Sequence, residues 1–137
     1  MEVLIMNITL KERTPSREEY IRLRKSVGWK ILDDKSIEVG LKNSLYCICL
    51  EYNHSIIGFG RIIGDSGTVF YIQDIIVDPK FQGMKLGSKI MNALINHIKT
   101  NYSKEAIIGL IAFKDLDKFY SSFGFHCSEN NGFYRLS

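Results

Sequence analysis

Apolar and polar positions change period several times along the chain, and these changes divide it into elements. Leu4, Met6, Ile8 and Leu10 alternate with other residues, which is the two-residue period of a strand. Thr14-Pro15-Ser16 then opens a helix. Proline suits a first helical position, and Ser16 followed by Glu19 has the spacing of a capping box. Tyr20, Leu23 and Val27 recur at helical spacing before Gly28 ends the run. Asp33 or Asp34 caps a second short helix that continues toward Leu41.

Residues 45–52 and 55–63 are apolar runs on either side of Asn53-His54, a hairpin signal. Gly64-Asp65-Ser66-Gly67 makes the next turn, and residues 68–77 form a long strand rich in β-branched and aromatic side chains. Asp78-Pro79 closes that strand, because proline has no N–H to give to a ladder. Leu86, Ile90, Met91, Leu94, Ile95 and Ile98 then share one helical face, in a helix that runs to about Lys99. Residues 106–112 read as another strand, and strand, helix, strand in this order implies a right-handed crossover and a parallel pair. A short helix over residues 116–122 is closed by Gly124, and residues 125–128 and 133–136 form a closing hairpin. The fold class that follows is α/β, a mixed sheet with helices on both faces.

Composition changes this picture little. A length of 137 residues suits one domain, and no linker interrupts it. The net charge of +3 is small and scattered, which argues against a nucleic-acid partner. It suits a polyanionic ligand, and equally an ordinary solvated surface. The three cysteines, Cys47, Cys49 and Cys127, are too few for a disulfide framework and lack zinc-ligand spacing, so no metal is expected. Cys47 and Cys49 share one strand face as buried thiols, which fits a reducing, cytoplasmic compartment. The N-terminus lacks the basic start of a signal peptide, and no apolar stretch reaches membrane-spanning length.

Candidate chemistry begins at Phe81-Gln82-Gly83-Met84-Lys85-Leu86-Gly87-Ser88, which a strand enters and a helix leaves. The first N–H groups of a helix have no partner within it, and the helix dipole makes that end partly positive. Glycines let a phosphate come close to the backbone. On these residues alone the loop is either an anion cradle or a tightly packed turn. It is neither a Walker A loop nor a dinucleotide fingerprint, since the required Gly-Lys-Ser/Thr and glycine spacing are missing.

The stretch from Asp74 through Ile75, Ile76, Val77 and Gln82 to Gly87 resembles the acetyl-CoA motif of the GNAT superfamily of N-acetyltransferases, a Gln/Arg-x-x-Gly-x-Gly/Ala loop after a strand ending in Val. Phe119-Tyr120-Ser121-Ser122-Phe123-Gly124-Phe125 is similar to that family's second signature, a Tyr followed by Gly-Phe. The resemblance covers nearly the whole chain. It implies a single-domain GNAT-like fold with a mostly antiparallel sheet, and acetyl-CoA as cosubstrate. The cofactor would be held by residues 82–88 and by backbone groups near Ile75, Ile76 and Val77, freed by a bulge. Tyr120 would protonate the departing thiolate. Without the signature, Tyr120 reads as a packed ring with a wet hydroxyl. Two positions depart from the pattern. Lys85 stands where the motif has its first Gly, where it either crowds the pyrophosphate or supplies a cation, and Phe113 stands where many relatives carry Asn.

No residue stands out as the base. Alternation puts Asp74 on the face opposite Gln73, Ile75 and Val77 unless a bulge intervenes. Tyr71, Gln73 and His126 are weak candidates. Arg61 is expected to pair with Asp65 or Asp74, and Tyr20 and Trp29 either line an acceptor pocket or pack in the core. The expected reaction is acetyl transfer to a small-molecule primary amine by direct attack on the thioester. Acetylation of a protein N-terminus or lysine, and a non-catalytic acyl-CoA sensor, are the alternatives. No nucleic-acid or membrane partner is expected, and a homodimer follows from the family analogy alone.

Overall fold

A five-stranded sheet carries the chain, with its strands side by side in sequence order. The structure is a computed structural model and describes residues 7–127 and 132–137. The strands are β1 (Thr9–Glu12), β2 (Tyr46–Tyr52), β3 (Ser55–Gly64), β4 (Val69–Val77) and β5 (Ile107–Gly109). The helices are α1 (Arg17–Ser26), α2 (Asp34–Lys42), α3 (Leu86–Asn101) and α4 (Asp117–Ser121). The first four strands pair antiparallel, and β5 joins β4 in parallel through the α3 crossover. Among the described residues no helix is long and apolar enough to cross a membrane.

Local sequence explains where these elements begin. The Ser16 side chain accepts from Glu19 N–H while Glu19 bonds back to Ser16 N–H, a complete capping box. Asp33, rather than Asp34, caps α2 through Ser36 N–H at 3.1 Å. Asp65 gathers the N–H groups of Gly67, Thr68 and Val69, which fixes the β3–β4 turn. Pro15 precedes the cap residue Ser16, so it lies outside the helix rather than at its first position.

Each face of the sheet buries its own core. Ile48, Leu50, Ile62, Phe70 and Ile72 pack against Leu86, Ile90, Met91, Leu94 and Ile98 of α3. On the other face Cys47, Cys49, Ile56, Phe59 and Ile76 pack against Tyr20 and Leu23 of α1 and Ile37 and Leu41 of α2. Burying a side chain of this size contributes roughly 1.5–3 kcal/mol, so each helix is held by its apolar stripe more than by its length. Gly60 sets how close α3 comes: a Cβ there would lie 2.6 Å from Ile90 Cγ2 and 2.8 Å from Ile75 Cδ1.

The register of β4 breaks once. Ile76 pairs with Phe59 and Gln73 with Arg61, so Asp74 and Ile75 together oppose Gly60. Asp74 takes a left-handed conformation at φ 59°. This bulge reverses the facing of the strand. Phe70 and Ile72 point toward α3 before it, whereas Ile75 and Val77 do so after it and Ile76 turns to α1. Asp74 therefore lies on the same side as Gln73, whose amide donates to it at 3.3 Å, which corrects that part of the expectation from alternation, while Asp74 does lie opposite Ile75 and Val77.

Other differences are at the ends. The first described strand starts at Thr9, while Leu4 and Met6 lie outside the described residues. The helix expected to stop near Lys99 continues to Asn101. The strand expected over 106–112 is ladder-bonded only at Ile107–Gly109, because β4 and β5 part beyond Tyr71. The short helix expected over 116–122 is α4 (Asp117–Ser121), preceded by the 3-10 turn Lys114–Leu116. The closing hairpin is not formed in residues 125–127 and 132–137, and residues 128–131 lie outside the described ones.

Candidate active site

The loop between β4 and α3 is pinned from beneath. Asp78 N–H donates to Ile57 O at 2.8 Å, and the Gln82 side-chain amide donates to Val77 O at 3.0 Å. Gln82 thus ties the loop to the strand end. Gly83 at φ 87° and Lys85 at φ 61° both take left-handed conformations, which curl the chain into the helix. Met84 is half-buried and Leu86 buried against the α3 core, so these two side chains anchor while the backbone faces outward. The first N–H bonded back to the loop is that of Lys89, to Lys85 O at 3.2 Å. The N–H groups of Leu86, Gly87 and Ser88 meet no acceptor among the described residues. Three such amides at the positive end of a sixteen-residue helix fit a pyrophosphate. Lys85 and Lys89 are exposed at this end of the helix.

Gly87 lies under a ring: a Cβ there would be 3.4 Å from Phe119 Cζ. Phe119 stands edge-on to Tyr120 at 4.9 Å, and Phe125 does the same from the other side at 6.3 Å. The loop and the Tyr-Gly-Phe segment are thereby packed together. Burial pushes the Tyr120 phenol up, so it stays protonated at neutral pH, and its hydroxyl has no hydrogen-bond partner among the described residues.

Tyr120 also lines a cavity of about 490 Å³ where β4 leaves β5. The walls come from Ile72–Ile75 at the bulge, from residues 110–113 beyond β5, and from residues 28–30 after α1. Trp29 and Phe113 face each other across it with ring centroids 6.3 Å apart. Past Tyr71 the β5-side edge of β4 has no strand partner among the described residues, so its backbone groups are exposed to this gap.

The floor of the cavity is polar, and its groups are hydrogen-bonded to one another. Asp74 Oδ2 accepts from the Tyr20 hydroxyl at 2.8 Å and from Arg61 Nε at 2.9 Å. Its Oδ1 accepts from Arg24 Nη1 at 2.7 Å. The carboxylate side chain is 0% exposed. With both oxygens occupied by cationic and neutral donors, it cannot serve as a free base. Burial, followed by the neighbouring Asp74 charge, pushes the Tyr20 phenol up to about 12, which keeps it a donor.

The description "Acetyltransferase (GNAT) domain" belongs to the family model that matches residues 13–135. The chain belongs to the GNAT acetyltransferase family. A relative described as an uncharacterized N-acetyltransferase from Pyropia yezoensis is 33% identical over 111 residues, covering 78% of this chain and 63% of the relative. The chain therefore spans less than two thirds of that protein's length. A probable acetyltransferase of unknown function from methicillin-resistant Staphylococcus aureus has a TM-score of 0.89 at 36% identity, covering 95% of this chain and 99% of the other. An aminoglycoside N-acetyltransferase in complex with CoA shares the fold, at a TM-score of 0.69 and 19% identity over 94% of each chain.

Within this GNAT fold, Ile75 and Tyr120 meet at the cavity. Residues 82–85 form the loop and residues 86–88 the first turn of α3, Val77 offers its carbonyl to Gln82, and the Ile76 side chain is core. Arg61 pairs with Asp74, as expected, and not with Asp65. Tyr20 is both core and cluster, and Trp29 is cavity wall. His126 is exposed and outside the cavity lining. The residue that sequence reading passed over is Arg24. Its signal is the Tyr20–Arg24 spacing of one helical turn, which puts a cation beside the phenol.

Proposed function

We propose that the chain is an N-acetyltransferase moving the acetyl group of acetyl-CoA to the primary amine of a small molecule. The observation that carries this reading is the parting of β4 from β5 into a walled cavity, with the unpartnered Tyr120 hydroxyl at its edge. When bound, acetyl-CoA supplies an acyl carbon activated as a thioester. Residues 82–88 would hold its pyrophosphate on backbone amides. The exposed edge of β4 at the bulge would offer N–H groups near Ile75 to the thioester carbonyl. Donors fixed in place before reaction are often the largest catalytic term. As the amine nitrogen bonds to the acyl carbon and the carbon–sulfur bond breaks, Tyr120 gives its proton to sulfur. The proton released by nitrogen passes to water.

Trp29 and Phe113 narrow the cavity, which supports a small acceptor over a protein segment. The buried thiols Cys47 and Cys49 suit a reducing compartment such as the cytoplasm. Release of free thiol from acetyl-CoA with a panel of amines tests the proposal. Turnover with at least one small amine is expected. Cofactor binding without thiol release from any amine, peptides included, would leave a sensor domain instead.

A further inference from the structure

The floor of the cavity carries more positive than negative charge, and one donor is left over. Asp74 is the sole acidic residue among the described residues lining it, and its oxygens are already taken by Arg24, Arg61 and Tyr20. Two guanidinium groups thus share one carboxylate, and Lys30 stands exposed at the rim. Arg24 is held from three sides. Its Nε donates to Lys30 O at 2.8 Å and its Nη1 to Asp74, while its guanidinium lies 5.4 Å over the Trp29 ring. Nη2 has no acceptor among the described residues. Since no buried side-chain nitrogen or oxygen among them lacks a partner, Nη2 is not fully buried, and Arg24 is one of the residues that line the cavity. A fixed guanidinium with a free edge is suited to a carboxylate or phosphate oxygen, because little side-chain freedom is lost on binding.

Resting on the acetyltransferase reading above, we propose that the acceptor is an amine bearing an anionic group, carboxylate or phosphate, which Arg24 Nη2 binds with help from Lys30. Arg24 is then a specificity-determining residue. The anion places the amine toward Ile75 and Tyr120. The same excess of positive charge opposes an ammonium and favours the neutral amine, the form that attacks. This also explains how the site works without a free carboxylate base.

The test measures binding and turnover separately on the full chain with CoA or acetyl-CoA present. Two matched pairs are used: β-alanine against its isosteric amide, and O-phosphoethanolamine against ethanolamine. The anionic member of at least one pair should bind about tenfold or more tightly than its neutral partner, the scale of one good charge-assisted contact. The pair showing it separates carboxylate from phosphate. Arg24→Gln should remove most of that preference, by raising KM for the anionic amine about tenfold more than KM for the neutral one. Lys30→Ala, at an exposed position outside the buried cluster, should reduce it a few-fold. An unchanged acetyl-CoA thermal shift confirms that each variant is folded. Equal binding within both pairs by the unaltered chain overturns the proposal, and so does a preference that survives Arg24→Gln. Thiol release with neutral amines in that event would keep the acetyltransferase reading intact.

Discussion

Lys85 holds a left-handed backbone at φ 61°, ψ 26° at the cap of α3, a conformation costing a residue with a Cβ roughly 1–2 kcal/mol. Lys85→Gly should therefore be neutral or stabilising by up to about 1 kcal/mol in urea unfolding, and clearly more stable than Lys85→Ala. A Gly variant weaker than Ala would mean that the lysine side chain supports the loop. Tyr120 invites a sharper test. Tyr120→Phe keeps the ring packing on Phe119 and Phe125 but removes the proton, so kcat should fall by about 100-fold while the acetyl-CoA thermal shift is kept. Unchanged turnover would remove Tyr120 from its role. The active form is the protonated one and burial raises the phenol from its usual value, so losing this proton should lower kcat only above about pH 10. A pH–rate profile that falls with a lower midpoint would assign that limb to another group. These two residues differ in how they could be read. Tyr120 was legible through the Tyr-Gly-Phe signature, because four residues of context fixed its neighbours. The left-handed backbone of Lys85 was not, since lysine carries no preference for that conformation.

Between elements, the decisive feature is the bulge of β4 against Gly60. Burial alternates from Val69 to Val77 without a break, and the sequence Gln73-Asp74-Ile75-Ile76-Val77 does not say which residue bulges. Aspartate tolerates a left-handed backbone better than most residues, but that preference is too weak to place a bulge from sequence. The hairpins were legible because Asn53-His54 and Gly64–Gly67 interrupt apolar runs, and α3 because its buried stripe repeats over four turns. Arg61 was legible as a partner of Asp65 or Asp74, but Arg24 was not, since its meeting with Asp74 depends on the reversal. Asp74→Ala would leave both guanidiniums without their shared carboxylate, and a stability loss of roughly 3–5 kcal/mol in denaturant melts is expected. A loss under 1 kcal/mol would show that the cluster contributes to position and little to stability. Gly60→Val should cost about 1–3 kcal/mol by forcing Ile90 and Ile75 aside. That cost should appear together with weaker acetyl-CoA binding, because α3 and the bulge both move.

Across the molecule, Arg13 joins the start of α1 to β2 by bonding Glu19 and Glu51 at 2.8 Å each. The bond from Arg13 holds the Glu19 carboxyl at about 2 rather than its usual 4.5. A depressed carboxyl contributes its stability above its unfolded value and loses it as pH falls through the folded one. Unfolding midpoints should thus decline between about pH 4.5 and 2, and Glu19→Gln should flatten part of that decline. An identical profile in the variant would assign the acid sensitivity elsewhere.

The parting of β4 and β5 has a kinetic consequence as well. Among the described residues β5 is held to the sheet only along Thr68–Tyr71, whereas β3 is bonded along both edges. Local opening takes the least free energy where a segment has the fewest shared hydrogen bonds. Amide protons of residues 107–109 should accordingly exchange with solvent sooner than those of β3. A ligand wedged between the two strands would slow that exchange without touching the rest of the sheet, so the rate at which β5 breathes becomes a reporter of occupancy.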